Sequence, residues 1–135
     1  TQNGNALSCA AGVATMKEYL RNDKAILKQV KNLASYFRKN FEKKIKSEFS
    51  EIFDIRGKGL MFAVELADKD TGIRIPQAKL LKIVELLKKN GVVLEWSYIE
   101  NVTSCLVLFL PFIIHECEID QLLEKMRKVF RRVLN

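Results

Sequence analysis

Ile52-Phe53-Asp54-Ile55-Arg56-Gly57-Lys58-Gly59-Leu60-Met61-Phe62-Ala63-Val64-Glu65-Leu66 is the stretch from which the fold is read. Leu60, Phe62, Val64 and Leu66 alternate with Met61, Ala63 and Glu65, a period of two that puts one side of a strand against a core. Ile52, Phe53 and Ile55 begin another strand before the glycines. Gly57 and Gly59 then join or bend the two, because glycine inside a strand pattern marks a tight bend. Arg56 and Lys58 beside those glycines also invite a phosphate, since glycines let backbone N–H groups approach an anion. A lone short glycine motif is weak support for that, and a bend in the sheet is the favoured use.

Outward from this pair the period changes. Upstream, Ile26, Val30, Leu33, Phe37, Phe41 and Ile45 step by three or four, which predicts an amphipathic helix ending near Lys46. Asn22-Asp23 breaks the chain before it, and Asp23 can cap it. Ala6 to Thr15 is rich in small residues (Ala6, Ala10, Ala11, Gly12, Ala14) with Leu7, Val13 and Met16 among and after them. It reads as a helix pressed against other backbone, with Asn5 or Asn3 as its N-cap.

Downstream, Asp68 to Gly72 is a polar turn, and Pro76 suits the first turn of a helix with Leu80, Ile83, Val84 and Leu87 inward. Asn90-Gly91 stops it. Val92-Val93-Leu94 begins a strand; Cys105 to Leu110 is another, apolar on both faces and therefore central. The last helix starts at His115 or Glu116, with Ile119, Leu122, Leu123, Met126, Phe130 and Val133 on one face. His115 and Glu118 hold the capping-box positions. The order predicts an α+β fold: a small, mostly antiparallel sheet with helices covering one face.

Composition narrows the function classes. At 135 residues, 48% hydrophobic and 29% charged, the chain is one domain's worth of foldable sequence and too apolar for disorder. Val102 to Ile114, the longest nearly uncharged run, falls short of the ~20 residues a membrane-spanning helix needs. Residues 1–16 lack the basic start and long apolar run of a signal peptide. Cys9, Cys105 and Cys117 form no CxxC pair, so neither a disulfide framework nor a zinc site is expected. They read as reduced thiols packed as small apolar residues in a cytoplasmic protein.

The net charge of +7 comes from cations such as Lys28, Lys31, Lys39, Arg127 and Arg131, on the helix faces opposite the apolar stripes. A solvated face is the expectation, with no nucleic acid or membrane as partner; a non-enzymatic basic α+β module binding an acidic partner is the alternative.

The catalytic inventory is thin. His115 sits at a helix start, where a structural role is expected. Ser8 and Cys9 have no activating His or acid at motif spacing. No set of metal ligands stands out. Thr1 to Asn5 combines a hydroxyl with a glycine-containing turn at a helix N-terminus, which can bind phosphate; on composition alone, simple helix entry is favoured.

These pieces, in this order, resemble the C-terminal portion of class-III aminotransferases, the ω-amino-acid group of fold type I. Thr1-Gln2-Asn3-Gly4-Asn5-Ala6-Leu7-Ser8-Cys9-Ala10-Ala11-Gly12 is similar to the family's T-x-x-G-N-x-L-A-x-A-A segment. Asp54 to Met61 matches its (D/V)-(V/I)-R-G-(K/R)-G-L-M turn, with Glu65-Leu66 following as expected. Asn90 to Leu94 and Phe109 to Asp120 resemble two further motifs, and the Gly91 to Glu95 stretch and the opening motif look most like diaminobutyrate-type transaminases.

The resemblance implies that Thr1 hydrogen-bonds the phosphate of pyridoxal 5'-phosphate, usually in the neighbouring subunit of a homodimer. It implies a small-molecule amino donor and an oxo acid as substrates. It also implies that residues 1–22 form the cofactor-phosphate turn and connecting helix, with 23–135 as the small domain. The catalytic lysine of the family lies upstream of the threonine, so the resemblance places no catalytic residue in this segment. Many members carry an arginine just before the L-P-P strand end, where it grips a substrate carboxylate; that position is here Val107 or Leu108, and the doubled proline is reduced to Pro111.

Overall fold

The computed structural model describes residues 4–134. A long helix, α1 (Ala6–Phe41), runs on into a π-helical turn at Glu42–Lys46. The hairpin β1 (Ile52–Lys58) and β2 (Met61–Leu66) follows, then α2 (Gln77–Lys89), β3 (Glu95–Ile99), β4 (Thr103–Phe109) and α3 (Glu116–Val133). The four strands are all antiparallel, in the order β1-β2-β4-β3, so β2 and β4 are interior. That is the α+β architecture the sequence predicts, with the apolar Cys105–Leu110 run falling in a central strand.

The hairpin shows why its glycines are there. Lys58 pairs with Met61, leaving Gly59 and Leu60 as a two-residue loop. Gly59 has φ +58°, the first-position glycine of a type II′ hairpin, whose twist matches that of its strands. Gly57 is held by close approach: with φ +153°, a Cβ there would collide with the Met61 carbonyl oxygen and lie 2.9 Å from the Phe62 Cα. Arg38 of α1 fixes this strand from the helix side, its Nη1 donating to the Ile55 carbonyl at 2.8 Å and its Nη2 to Gly57 at 3.3 Å. Those bonds occupy carbonyls on an edge strand that would otherwise be free to pair.

One face of the sheet is the core. Phe62, Val64 and Leu66 of β2 and Leu106 and Leu108 of β4 gather in one buried cluster with Phe37 and Phe41 of α1, Leu80, Ile83 and Leu87 of α2, and Ile119, Leu123, Met126 and Phe130 of α3. Phe37 anchors it, stacked on Phe62 with ring centroids 4.4 Å apart and tilted against Phe41 at 5.8 Å. The capping of α3 follows the sequence reading, with Glu118 Oε2 accepting from the His115 N–H at 2.8 Å.

Several expectations shift. The break expected at Asn22-Asp23 is present, and it divides α1 into two helical stretches: Arg21 leaves helical geometry, and Asn22, Asp23 and Lys24 take φ of +47°, +54° and +60°. Asn and Asp tolerate that region, while Lys24 bears its steric cost. The Asp23 carboxylate pairs with Lys28. The strand expected from Val92 begins later, at Glu95, because Val92 is drawn into the core as part of the connection from α2. Pro76 stands at the N-cap of α2 rather than within its first turn.

Among the described residues, the small-residue helix is not pressed against other backbone. Leu7, Val13, Met16 and Leu20 are exposed, and nothing lies within 4 Å of a Cβ built on Gly12. Tyr19, near its end, meets the Phe112 ring at 5.8 Å. Of the cysteines, Cys105 is buried as expected, whereas Cys9 and Cys117 are exposed, since both lie in the first turns of helices whose ends face solvent. Among the described residues no helix is long and apolar enough to cross a membrane.

Candidate active-site face

The alternate positions of the strands build the other face of the sheet. Register puts Asp54, Glu65, Cys105 and Ser97 in one row across it, and Arg56, Ala63, Val107 and Glu95 in the next. Lys58, Met61 and Phe109 make a third row at the rim, where Met61 and Phe109 are 55% and 62% exposed. None of these side chains belongs to the core cluster that the helices cover. Helices therefore shield one side of the sheet and leave the other to its own side chains.

The chemistry of this face centres on Glu65. A carboxylate at 7% exposure in an interior strand loses its hydration and must be paired. Arg56 Nη1 pairs with Oε2 from β1, while Oε1 takes Arg74 Nη2 at 3.3 Å and the Thr103 hydroxyl at 3.4 Å. Arg74 is spent in place: its Nε donates to the Val102 carbonyl at 3.0 Å, its guanidinium lies 5.1 Å from the Phe53 ring centroid, and its Nη1 is buried without a partner. Arg56 also has Asp54 at 3.7 Å. The hydrogen bond to Glu65 stabilises the Arg56 cation further and holds its pKa above the ordinary guanidinium value. Burial pushes the neighbouring Cys105 thiol up, making it a poor nucleophile.

The sequence candidates fall as follows. Thr1 lies outside the described residues. At the helix entry, Asn5 is the N-cap: its Oδ1 accepts from Leu7 N–H at 3.0 Å and Ser8 N–H at 3.2 Å, so two of the N–H groups a phosphate could have used are already taken. The Arg56–Gly59 segment closes the hairpin. Of the two positions offered for the family's arginine, Leu108 is in the core and Val107 lies on the open face, in the row of Arg56. The cations of the charged helices stand on exposed faces, and several are paired within the fold, Lys44 with Asp120 at 2.7 Å and Arg127 and Arg131 with Glu48.

What the sequence reading missed is the Arg56–Glu65–Arg74 cluster. No local signal gives it: Glu65 falls on the outward side of the alternation, where a carboxylate reads as solvated, and only the structure shows it 7% exposed.

Comparison with known proteins places this architecture. The model of the class-III aminotransferase family matches residues 1–130. The chain is 29% identical over 134 residues to an acetylornithine aminotransferase of Caldanaerobacter subterraneus, covering 98% of this chain and 30% of that protein. It is 31% identical over 126 residues to an acetylornithine aminotransferase of Methanosarcina acetivorans, covering 92% of this chain and 27% of that one. Among solved structures, an aminotransferase of Bacillus anthracis superimposes with a TM-score of 0.81 at 23% identity, over 93% of this chain and 28% of its own. The chain thus spans a little under a third of the length of these relatives. A family match running from the opening residues into the last helix, on a fold that superimposes over most of the chain, leaves one assignment: the chain belongs to the class-III aminotransferases.

Proposed function

We propose that this chain is the C-terminal part of a pyridoxal-phosphate-dependent aminotransferase that moves an amino group from an amino acid or ω-amine to an oxo acid. Residues 1–22 serve as the cofactor-phosphate turn and connecting helix, and residues 23–135 as the small domain. Family membership over nearly the whole chain is the observation that carries this reading. The working enzyme is taken as a cytoplasmic homodimer.

When bound, pyridoxal phosphate supplies the carbonyl chemistry and the electron sink of amino transfer. The described residues supply part of its surroundings. The Leu7 and Ser8 N–H groups are committed to Asn5, and Thr1 is the residue of this segment taken to reach the phosphate. The open sheet face supports a second task, closing a wall over the reacting groups: Glu65 fixes the Arg56 guanidinium there, and Met61 and Phe109 at the rim exclude water once covered. The lysine that moves the proton belongs to sequence before Thr1 in this reading, so the segment alone performs no transfer.

The test is a transaminase assay on the full-length protein, supplied with pyridoxal phosphate and offered ω-amines and α-amino acids against several oxo acids. Transfer of the amino group to an oxo acid is expected; no transfer from any donor overturns the proposal. Thr1→Ala is expected to weaken cofactor retention about 10-fold, the worth of one charge-assisted hydrogen bond, with Thr1→Ser restoring it. Absorbance of bound cofactor after dialysis reads this out, and equal retention by Thr1→Ala removes Thr1 from the site.

A further inference from the structure

We propose that Arg56 is a specificity-determining residue that binds the carboxylate of the substrate, an inference that rests on the aminotransferase reading above. The open face carries three cations, Arg56, Lys58 and Arg74. Arg74 is committed on two nitrogens and its third is buried, so it has no free edge to offer. Lys58 stands at the exposed end of the strand, at the rim, and presents a point charge.

Arg56 differs from both. Its side chain is 52% exposed, and among the described residues Nη1 alone has a protein acceptor, which leaves Nε and Nη2 as a parallel pair of donors. Such a fork matches the two oxygens of a carboxylate.

Position supports the assignment. Arg56 stands on an edge strand, yet the Glu65 carboxylate draws its guanidinium over β2 toward the middle of the sheet, near Cys105 of β4. Its row neighbour is Ala63, and Val107 lies beyond that, so no long side chain of the row stands between the guanidinium and β4. Glu65 and Asp54 balance the charges of Arg56 and Arg74, and Asp54, at 3.7 Å from Arg56, is the acid that an incoming anion must outcompete. Glu65 thus orients the arginine while its own second oxygen remains held by Arg74 and Thr103. The ligand class that fits is a small carboxylate: the amino acid donor, the oxo acid acceptor, or both.

The experiment uses the full-length enzyme with L-alanine and ethylamine, two donors that differ only by the carboxylate. In the wild type, kcat/KM for alanine is expected to exceed that for ethylamine. Arg56→Gln should lower the ratio of the two about 30-fold, and Arg56→Lys, which keeps the charge and loses the fork, about 10-fold, mostly through KM for alanine. Propionate should raise the Tm of the wild type and fail to do so in Arg56→Gln. Should Arg56→Gln not fold, Arg56→Lys carries the same comparison, since it preserves the ion pair to Glu65.

A ratio that stays put in the variants, because both donors fall together or neither falls, marks Arg56 as structural and overturns the inference while leaving the aminotransferase reading intact. A wild type with no preference for alanine overturns it too. A wild type inactive with every donor and acceptor overturns the reading itself, and the inference with it.

Discussion

A methyl group added at position 57 has nowhere to go, because the backbone of β2 occupies its place. Gly57→Ala must push the Met61 carbonyl and the Phe62 Cα away, and both are backbone atoms fixed in the hairpin ladder. The expected loss is about 3 kcal/mol, read from urea denaturation, with the register of Phe62 against Phe37 disturbed. A loss below about 1 kcal/mol would mean the hairpin relaxes freely at that point.

Ser104 offers the opposite case at the same scale. Its hydroxyl is fully buried with no hydrogen-bond partner, on the core face of β4. Removing an unsatisfied hydroxyl removes its desolvation penalty, so Ser104→Ala is expected to hold or raise stability by about 1 kcal/mol. A clear destabilisation in the same denaturation measurement would show that the hydroxyl does find a partner.

At the scale of elements, Phe37 is one of the residues that join α1 to the sheet. It is fully buried, stacked on Phe62 and against Phe41, so Phe37→Ala removes the ring packing between helix and hairpin and leaves the Arg38 hydrogen bonds. A cost of about 4 kcal/mol is expected, typical of a phenylalanine excised from a core. Loss of near-ultraviolet dichroism with retained helix content would accompany it.

A second junction, between the end of the π-helical turn and α3, is electrostatic. Glu48 accepts from Arg131 and Arg127, and these hydrogen bonds hold its carboxyl below the usual range. A carboxyl depressed in the folded state stabilises the fold above its unfolded pKa, about 4.3, and that stabilisation is lost as pH falls through the lower folded value. Glu48→Gln should therefore be less stable than wild type at pH 7 and lose less on acidification below about pH 4.5. Urea midpoints at pH 7 and pH 3 check this; parallel losses in the two proteins would remove Glu48 from the acid response.

At the scale of the whole molecule, much of the design was legible along the chain. Alternation in Leu60 to Leu66 and the three-and-four spacing from Ile26 to Ile45 report burial directly, because a strand or helix with one wet face must repeat its apolar residues at its own period. The hairpin turn was legible because two glycines stand where left-handed backbone and close approach are needed. The start of β3 was not, since Val92 is apolar for the sake of the core rather than of a strand. Nor was the environment of the small-residue helix: sequence shows that Leu7, Val13, Met16 and Leu20 are apolar, yet nothing in their spacing says what covers them.

Sequence by itself determined the element order, the α+β class and the motifs of the family, because these depend on residues close together along the chain. Tertiary structure alone decided which residues share the open face. Glu65 and Arg56 are nine positions apart, and Arg74 and Thr103 come from a loop and another strand. Only antiparallel register brings them to one carboxylate, and it likewise sends Val107 to the open side and Leu108 to the core. Pairing across strands is fixed by the packing of the entire sheet against its helices, a sum over distant contacts that no local pattern contains.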